Sequence, residues 1–157
     1  MGFGGLSLKG RALRYLAQRE HSRAELERKL ARFVDEETDE TSAREKIAAA
    51  LDELASKGFL SDQRTADSVL NSQGARFGSR RLKQTMQAKG LAPALVASTL
   101  QQARATELER AREVWRRRFG APAEDAGGRA KQMRFLAGRG FDGDVIRRVM
   151  QAKSDDD

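Results

Sequence analysis

The sequence predicts an all-α chain, built as three tandem three-helix repeats stacked into an elongated, curved array. Three observations carry this expectation. The 157 residues hold two prolines and almost no alternating apolar pattern, while apolar residues recur at the 3.6-residue period of helices. A basic residue, a glycine and a large apolar residue recur as "KGF" at 57–59, "KGL" at 89–91 and "RGF" at 139–141, each followed by an amphipathic run. The composition, 39% hydrophobic but only 6% aromatic and 34% charged, gives one large core little bulky material and suits thin, linearly arranged cores. A compact six- or seven-helix bundle is the alternative.

Nine short helices follow from the pattern. The first runs from Leu8 to Arg19 on the stripe Leu8, Ala12, Tyr15, Leu16. The second opens at "SRAE", where Ser22 and Glu25 form a capping box, and carries Leu26, Leu30, Phe33 and Val34. A second capping box, Ser42 to Glu45, starts the third, with Ile47, Leu51 and Leu54 inward and Gly58 as its left-handed C′ residue. The fourth begins at Ser61 with Ala66, Val69, Leu70 and Phe77, and stops near Gly78. Ser79 caps the fifth, which turns Leu82 and Met86 inward and ends at Gly90. Pro93 suits the first turn of the sixth, with Val96, Leu100 and Ala103 on its stripe. The seventh spans 106–119 through Leu108, Ala111, Trp115 and Phe119. The eighth takes in Ala130, Met133, Leu136 and Ala137, and the ninth starts from Asp142 with Val145, Ile146, Val149 and Met150.

Taken in threes, the helices give repeats at 6–57, 58–104 and 105–153, with flexible ends at 1–5 and 154–157. Each triplet is too small to bury its stripe alone and gains stability by stacking. In the second and third repeats the corner glycine places Leu91 or Phe141 against the helix just ended. The first repeat lacks that corner, and the acidic stretch "DEETDE" stands in its place.

Net charge is +7, which points to a polyanionic partner, nucleic acid or an acidic protein surface. Without Cys there are no disulfides or thiolate metal sites, and the reducing cytoplasm is the expected compartment. No apolar run approaches a membrane span of roughly 20 residues, and the start "MGFGGLSLKG" reads as a flexible leader rather than a signal peptide.

Catalysis has little support. His21, the one histidine, sits at a helix start and is expected to face solvent without a catalytic partner. There is no phosphate loop and no nucleophile elbow, and the carboxylates of "DEETDE" and "DDD" lack a glycine-bearing ligand loop. The chain is therefore read as a non-enzyme with no cofactor and no metal.

Basic clusters are the stronger signal. "ARFGSRRLK" places Arg76, Arg80, Arg81 and Lys83 around the helix N-terminus at Ser79, where free backbone N–H groups would favour a phosphate or carboxylate. Lys131, Arg134 and Arg139 lie on the eighth helix or at its end, alongside Arg129, with Arg147 and Arg148 on the ninth. In "WRRRF", Trp115 and Phe119 are expected to face the core while Arg116 to Arg118 fan outward and Glu113 pairs with Arg117. The aromatics do not interleave with basic residues as a stacking platform would.

Four stretches carry a family resemblance. "RALRYLAQREHSRAELERKL" at 11–30 resembles the opening of the bacterial RecX family, a helix, a basic R-x-x-S turn and E-L-x-x-K-L. "GFLSDQRTADSVL", "FGSRRLKQTMQAKGL" and "QMRFLAGRGFDGDVI" resemble its later segments, in the family's order, over residues 8–152. The resemblance implies an all-helical, three-repeat, monomeric modulator. It would lodge in the groove of the RecA nucleoprotein filament and restrain ATP hydrolysis, strand exchange and co-protease activity, with bearing on recombination, DNA repair and the SOS response. Arg76, Arg80, Arg81, Lys83, Lys131, Arg134 and Arg139 are the candidate contacts with the RecA filament or DNA phosphates. Single- or double-stranded DNA would be bound without sequence specificity. The alternative is a helix-turn-helix protein acting directly on duplex DNA, and a plain scaffold for an acidic protein is the third reading.

Overall fold

The computed structural model describes residues 5–35 and 37–154, and the expected flexible ends lie outside these apart from Gly5 and Ser154. The described residues form eight α-helices and no strand: α1 (Leu8–Gln18), α2 (Arg23–Leu30), α3 (Glu40–Ser56), α4 (Asp62–Gln73), α5 (Ser79–Ala88), α6 (Pro93–Arg118), α7 (Ala126–Gly138) and α8 (Gly143–Ser154). A 3-10 turn, Ala31–Phe33, follows α2.

The expected sixth and seventh helices are one. α6 runs unbroken for 26 residues, so the 104/105 boundary falls inside it. Between Pro93 and Gly120 there is no glycine or proline to stop a helix once started. The third helix also starts earlier than expected. Asp39 is the N-cap and accepts the Ser42 amide at 2.7 Å, which draws Ser42 into the helix instead of leaving it to cap.

Contacts group the chain into two compact units. One comprises the residues up to Ser68 with Ala88–Ala92, the other Val69–Gln87 with the residues from Pro93 onward. In the first unit, Ala12, Leu26, Leu30, Ile47, Leu51, Leu54 and Leu60 form the core, flanked by Leu8, Leu13, Tyr15, Leu16 and Val34. The second has Ala111, Trp115, Leu136, Phe141, Ile146 and Val149, flanked by Leu108, Phe119, Phe135 and others. The stripes named for α1 and α3 match these clusters, but three expected core residues, Phe33, Met133 and Ala137, are exposed. Phe33 is 41% exposed under the Arg11 guanidinium, because the chain leaves the helix at Leu30. Met133 is 38% exposed, and its inward place is taken by Gln132, which accepts the Trp115 indole N–H at 3.1 Å. A buried indole needs such an acceptor, and methionine offers only a weak one.

A shared register underlies the second helices. Ser22, Leu26 and Leu30 are buried four residues apart, as are Gly78, Leu82 and Met86. Gln132 and Leu136 continue the same spacing from Gly128. Twelve residues after Gly78 and Gly128 come Gly90 and Gly140, at φ +70° and +87°, whereas the twelfth after Ser22 is Val34. Here the left-handed corner depends on glycine, and valine leaves the first repeat without one.

Each corner is docked on a helix start. In the first unit, Ser22 Oγ donates to the Lys89 carbonyl, and a Cβ on Gly90 would come within 2.6 Å of the Ala24 Cβ. In the second, Gly78 N–H donates to Arg139 O at 2.9 Å and Arg80 N–H to Gly140 O at 3.0 Å. A Cβ on Gly78 would lie 2.4 Å from the Phe141 Cα, so backbone meets backbone.

Candidate functional site

The loop before α5 is fixed from beneath. The Arg110 guanidinium on α6 donates to Gly74 O at 2.5 Å, Phe77 O at 2.7 Å and Ala103 O at 2.7 Å. Burial lowers its pKa and the nearby Glu107 charge opposes this, but a guanidinium remains protonated. Glu107, buried on the same helix, accepts from Ser79 N–H at 3.0 Å, Ser79 Oγ–H at 2.9 Å and Asp142 N–H at 3.4 Å. It thereby occupies the starts of both α5 and the α8 corner.

This revises one expectation. The anion at the α5 N-terminus is the chain's own Glu107 carboxylate, and the neighbouring N–H groups of Gly78 and Arg80 are spent on the "RGF" corner. The amides of Gly78, Ser79 and Arg80 are therefore not available to an external phosphate.

The basic side chains gather beside that start instead. Arg76, Arg81 and Arg139 approach the Phe77 ring, with guanidinium carbons 5.3, 4.8 and 5.7 Å from its centroid. Arg139 also lies 5.1 Å from the Phe135 centroid, and Arg118 is 5.5 Å from it. Phe119 meets Phe135 edge-on at 5.3 Å and closes the apolar side. A cavity of about 270 Å³ opens here, lined by Ala75, Arg76, Val114, Arg117, Arg118, Phe135 and Arg139.

One carboxylate stands nearby. Glu113 binds Arg116 at 2.7 Å and Arg117 at 2.8 Å, as the spacing suggests, and their hydrogen bonds and charges hold its pKa at about 2. Of the arginines in "WRRRF", Arg118 alone makes no ion pair among the described residues.

Three of the seven candidate contacts, Arg76, Arg81 and Arg139, are thus brought together. Arg80, Lys83, Lys131 and Arg134 are exposed outside the cavity lining, without ion pairs among the described residues. Arg117 and Arg118 were not among the candidates. The signal for Arg118 was its i, i+4 spacing from Val114, which puts it over the same groove.

The first unit holds a polar node of another kind. His21 is 1% exposed, not solvent-facing, because the "KGL" corner covers the helix start on which it stands. Its Nε2 lies 2.8 Å from Lys29 Nζ and its Nδ1 lies 3.1 Å from Arg19 O. Ammonium can only donate, so Nε2 accepts and Nδ1 carries the proton. Burial lowers the His21 pKa, the Arg19 carbonyl opposes this, and the Arg19 and Lys29 charges lower it further. Beside it the expected Ser22–Glu25 capping box is present. Burial pushes the Glu25 carboxyl up, but the Arg19 hydrogen bond at 2.6 Å, the Ser22 amide and the Lys89 charge outweigh it and hold it at about 2.

A pH dependence follows. Because the folded pKa of His21 lies below 6.5, its contribution is present above that value and is lost as pH falls below it. The urea midpoint followed by circular dichroism should drop between about pH 7.5 and about pH 5.5. His21→Gln should flatten that drop; an unchanged slope would contradict the assignment.

Among the described residues no group of three or more His, Cys, Asp or Glu is placed to hold a metal ion, and no helix is long and apolar enough to cross a membrane.

Comparison with known proteins supplies the lineage. Residues 9–40 match the model of the RecX first three-helix domain, and residues 105–150 that of the RecX third three-helix domain. The chain is 50% identical over 146 residues to "Regulatory protein RecX" of Leptothrix cholodnii, covering 93% of this chain and 88% of the relative. It is 45% identical over 152 residues to the protein of that name from Herminiimonas arsenicoxydans, covering 97% and 96%. In fold it is similar to the crystal structure of RecX from Lactobacillus salivarius, with a TM-score of 0.74 at 20% identity over 94% of both chains. Both family models, the long and close sequence matches and the repeated helical register agree: this chain belongs to the RecX family.

Proposed function

We propose that this chain is a regulator of the RecA nucleoprotein filament, chiefly an inhibitor of its ATPase, strand-exchange and co-protease activities. It would act in the cytoplasm as a monomer, in recombination, repair and the SOS response. The observation that carries this reading, beside family membership, is the cluster of Arg76, Arg81 and Arg139 on one aromatic ring, with Arg76 and Arg139 lining a concave surface together with Arg117 and Arg118. A nucleoprotein filament offers phosphate and carboxylate in register, and fixed guanidiniums serve both.

Residues 6–57, 58–104 and 105–153 are proposed as the three repeats, the second and third sharing α6. The seven basic residues divide the work: Arg76, Arg81 and Arg139 at the centre, Arg80, Lys83, Lys131 and Arg134 as outlying phosphate contacts that raise affinity without reading sequence. RecA-dependent, DNA-stimulated ATP hydrolysis titrated with the protein tests the reading. Inhibition saturating near stoichiometric amounts is expected; no effect there would sink it.

The helix-turn-helix alternative is disfavoured by the α5 start. A recognition helix presents its first residues to base edges, and here Gly78 and Ser79 are buried while the Gly78 and Arg80 backbones are docked on the "RGF" corner. Affinity should accordingly fall steeply with salt and vary little with sequence; a strong sequence preference would favour the alternative.

A further inference from the structure

We infer that the cavity between the loop at Ala75 and Arg76, the end of α6 and the end of α7 is a pocket for one splayed nucleotide of single-stranded nucleic acid. The inference rests on reading this surface as a filament or DNA contact, and names what enters it. All of its walls belong to the same compact unit.

The lining has two characters. Arg76, Arg118 and Arg139 supply guanidinium groups, while Ala75, Val114 and Phe135 supply apolar surface. A carboxylate side chain or a bare phosphate would use the first and leave the second in water. A nucleotide uses both, because its phosphate takes the charge and its base covers the apolar wall.

The rings are not the stacking platform themselves. Arg118 and Arg139 lie over Phe135, and Arg139 also over Phe77. Cation–π contact keeps the exposed Arg118 guanidinium near Phe135, at the cavity wall, where a base can stack on it. Volume favours the same occupant. About 270 Å³ is far more than a carboxylate needs and is on the order of one nucleotide. Bases in a duplex are stacked and paired inside it, so duplex reaches the rim arginines only.

Fluorescence anisotropy of labelled oligothymidylate and of duplex of equal length, with the full chain and no RecA, tests this. Single strand should bind about tenfold tighter at matched salt, since stacking of one base is a gain that duplex cannot make. Arg76→Ala and Arg118→Ala, both at exposed side chains, should each weaken single-strand binding by roughly five- to tenfold, and Lys83→Ala or Arg134→Ala by less than about threefold. Equal losses across all four, or no preference for single strand, would overturn the pocket and leave diffuse charge. Displacement of the strand by oligoglutamate as readily as by oligothymidylate would overturn it in favour of an acidic peptide. The two readings separate. A chain that inhibits RecA without pocket-dependent strand binding sinks the pocket alone, whereas pocket-dependent binding with RecA untouched sinks the filament reading.

Discussion

Gly140→Ala should lower the stability of the second unit by about 3 kcal/mol or more, read from Trp115 fluorescence during urea unfolding. Two costs add. At φ +87° an alanine pays about 1–2 kcal/mol for the left-handed backbone. Its Cβ would also fall 2.4 Å from the Arg81 Cβ and 2.6 Å from the Arg81 backbone nitrogen, so the corner must lift from α5. Lifting it weakens the bonds from Gly78 to Arg139 and from Arg80 to Gly140, and each net backbone hydrogen bond contributes roughly 1 kcal/mol. Trp115 is the one tryptophan and is buried in the same core, so the signal is local. Gly58→Ala, in the first unit and followed by circular dichroism, is the control, with φ +81° and nothing within 4 Å of the added Cβ. It should cost only the conformational share, about 1–2 kcal/mol. Equal effects at the two glycines would contradict the docking account.

Glu107→Ala should cost about 3–4 kcal/mol by the same measurement. The substitution strips acceptors from the Ser79 amide, the Ser79 hydroxyl and the Asp142 amide together, and buried donors left without partners carry their full desolvation penalty. Glu107→Gln keeps one carbonyl oxygen but turns an NH₂ toward a donor, so an intermediate loss of about 2 kcal/mol is expected. An alanine variant within about 0.5 kcal/mol of wild type would mean that water replaces the carboxylate.

Local signals in the sequence were enough to place most helices. The glycine at Gly90 and Gly140 marks a corner by backbone chemistry alone, and the Ser22–Glu25 pair announces a cap within four residues. The α3 start was misread locally, with Asp39 rather than Ser42 as the cap, and the larger errors arose where the deciding partner is distant in sequence. His21 looks like an exposed turn residue until the corner 67 residues beyond Ser22 covers it. Glu107 looks like any surface glutamate of a charged helix until three donors from two other segments converge on it. The fused α6 is a different case. Repeat arithmetic suggested a break that the residues 94–119, free of glycine and proline, do not contain.

The candidate site was half legible. Charge density pointed to 76–83 and 129–139, but which arginines share a ring is set by the "RGF" corner folding onto the α5 start. That approach brings Arg139 to Phe77 across 62 positions of chain. It also explains why the Gly78, Ser79 and Arg80 amides at that helix start are already taken within the chain.

The most direct measurement is RecA-dependent, DNA-stimulated ATP hydrolysis titrated with the wild-type chain and with a triple variant, Arg76→Gln, Arg81→Gln and Arg139→Gln, verified as folded by Trp115 fluorescence. The account expects wild type to suppress hydrolysis near stoichiometric amounts and the variant to need about tenfold more protein, the loss of roughly 1.4 kcal/mol in binding. Suppression at the same dose by both chains, or none by the wild type, would contradict it.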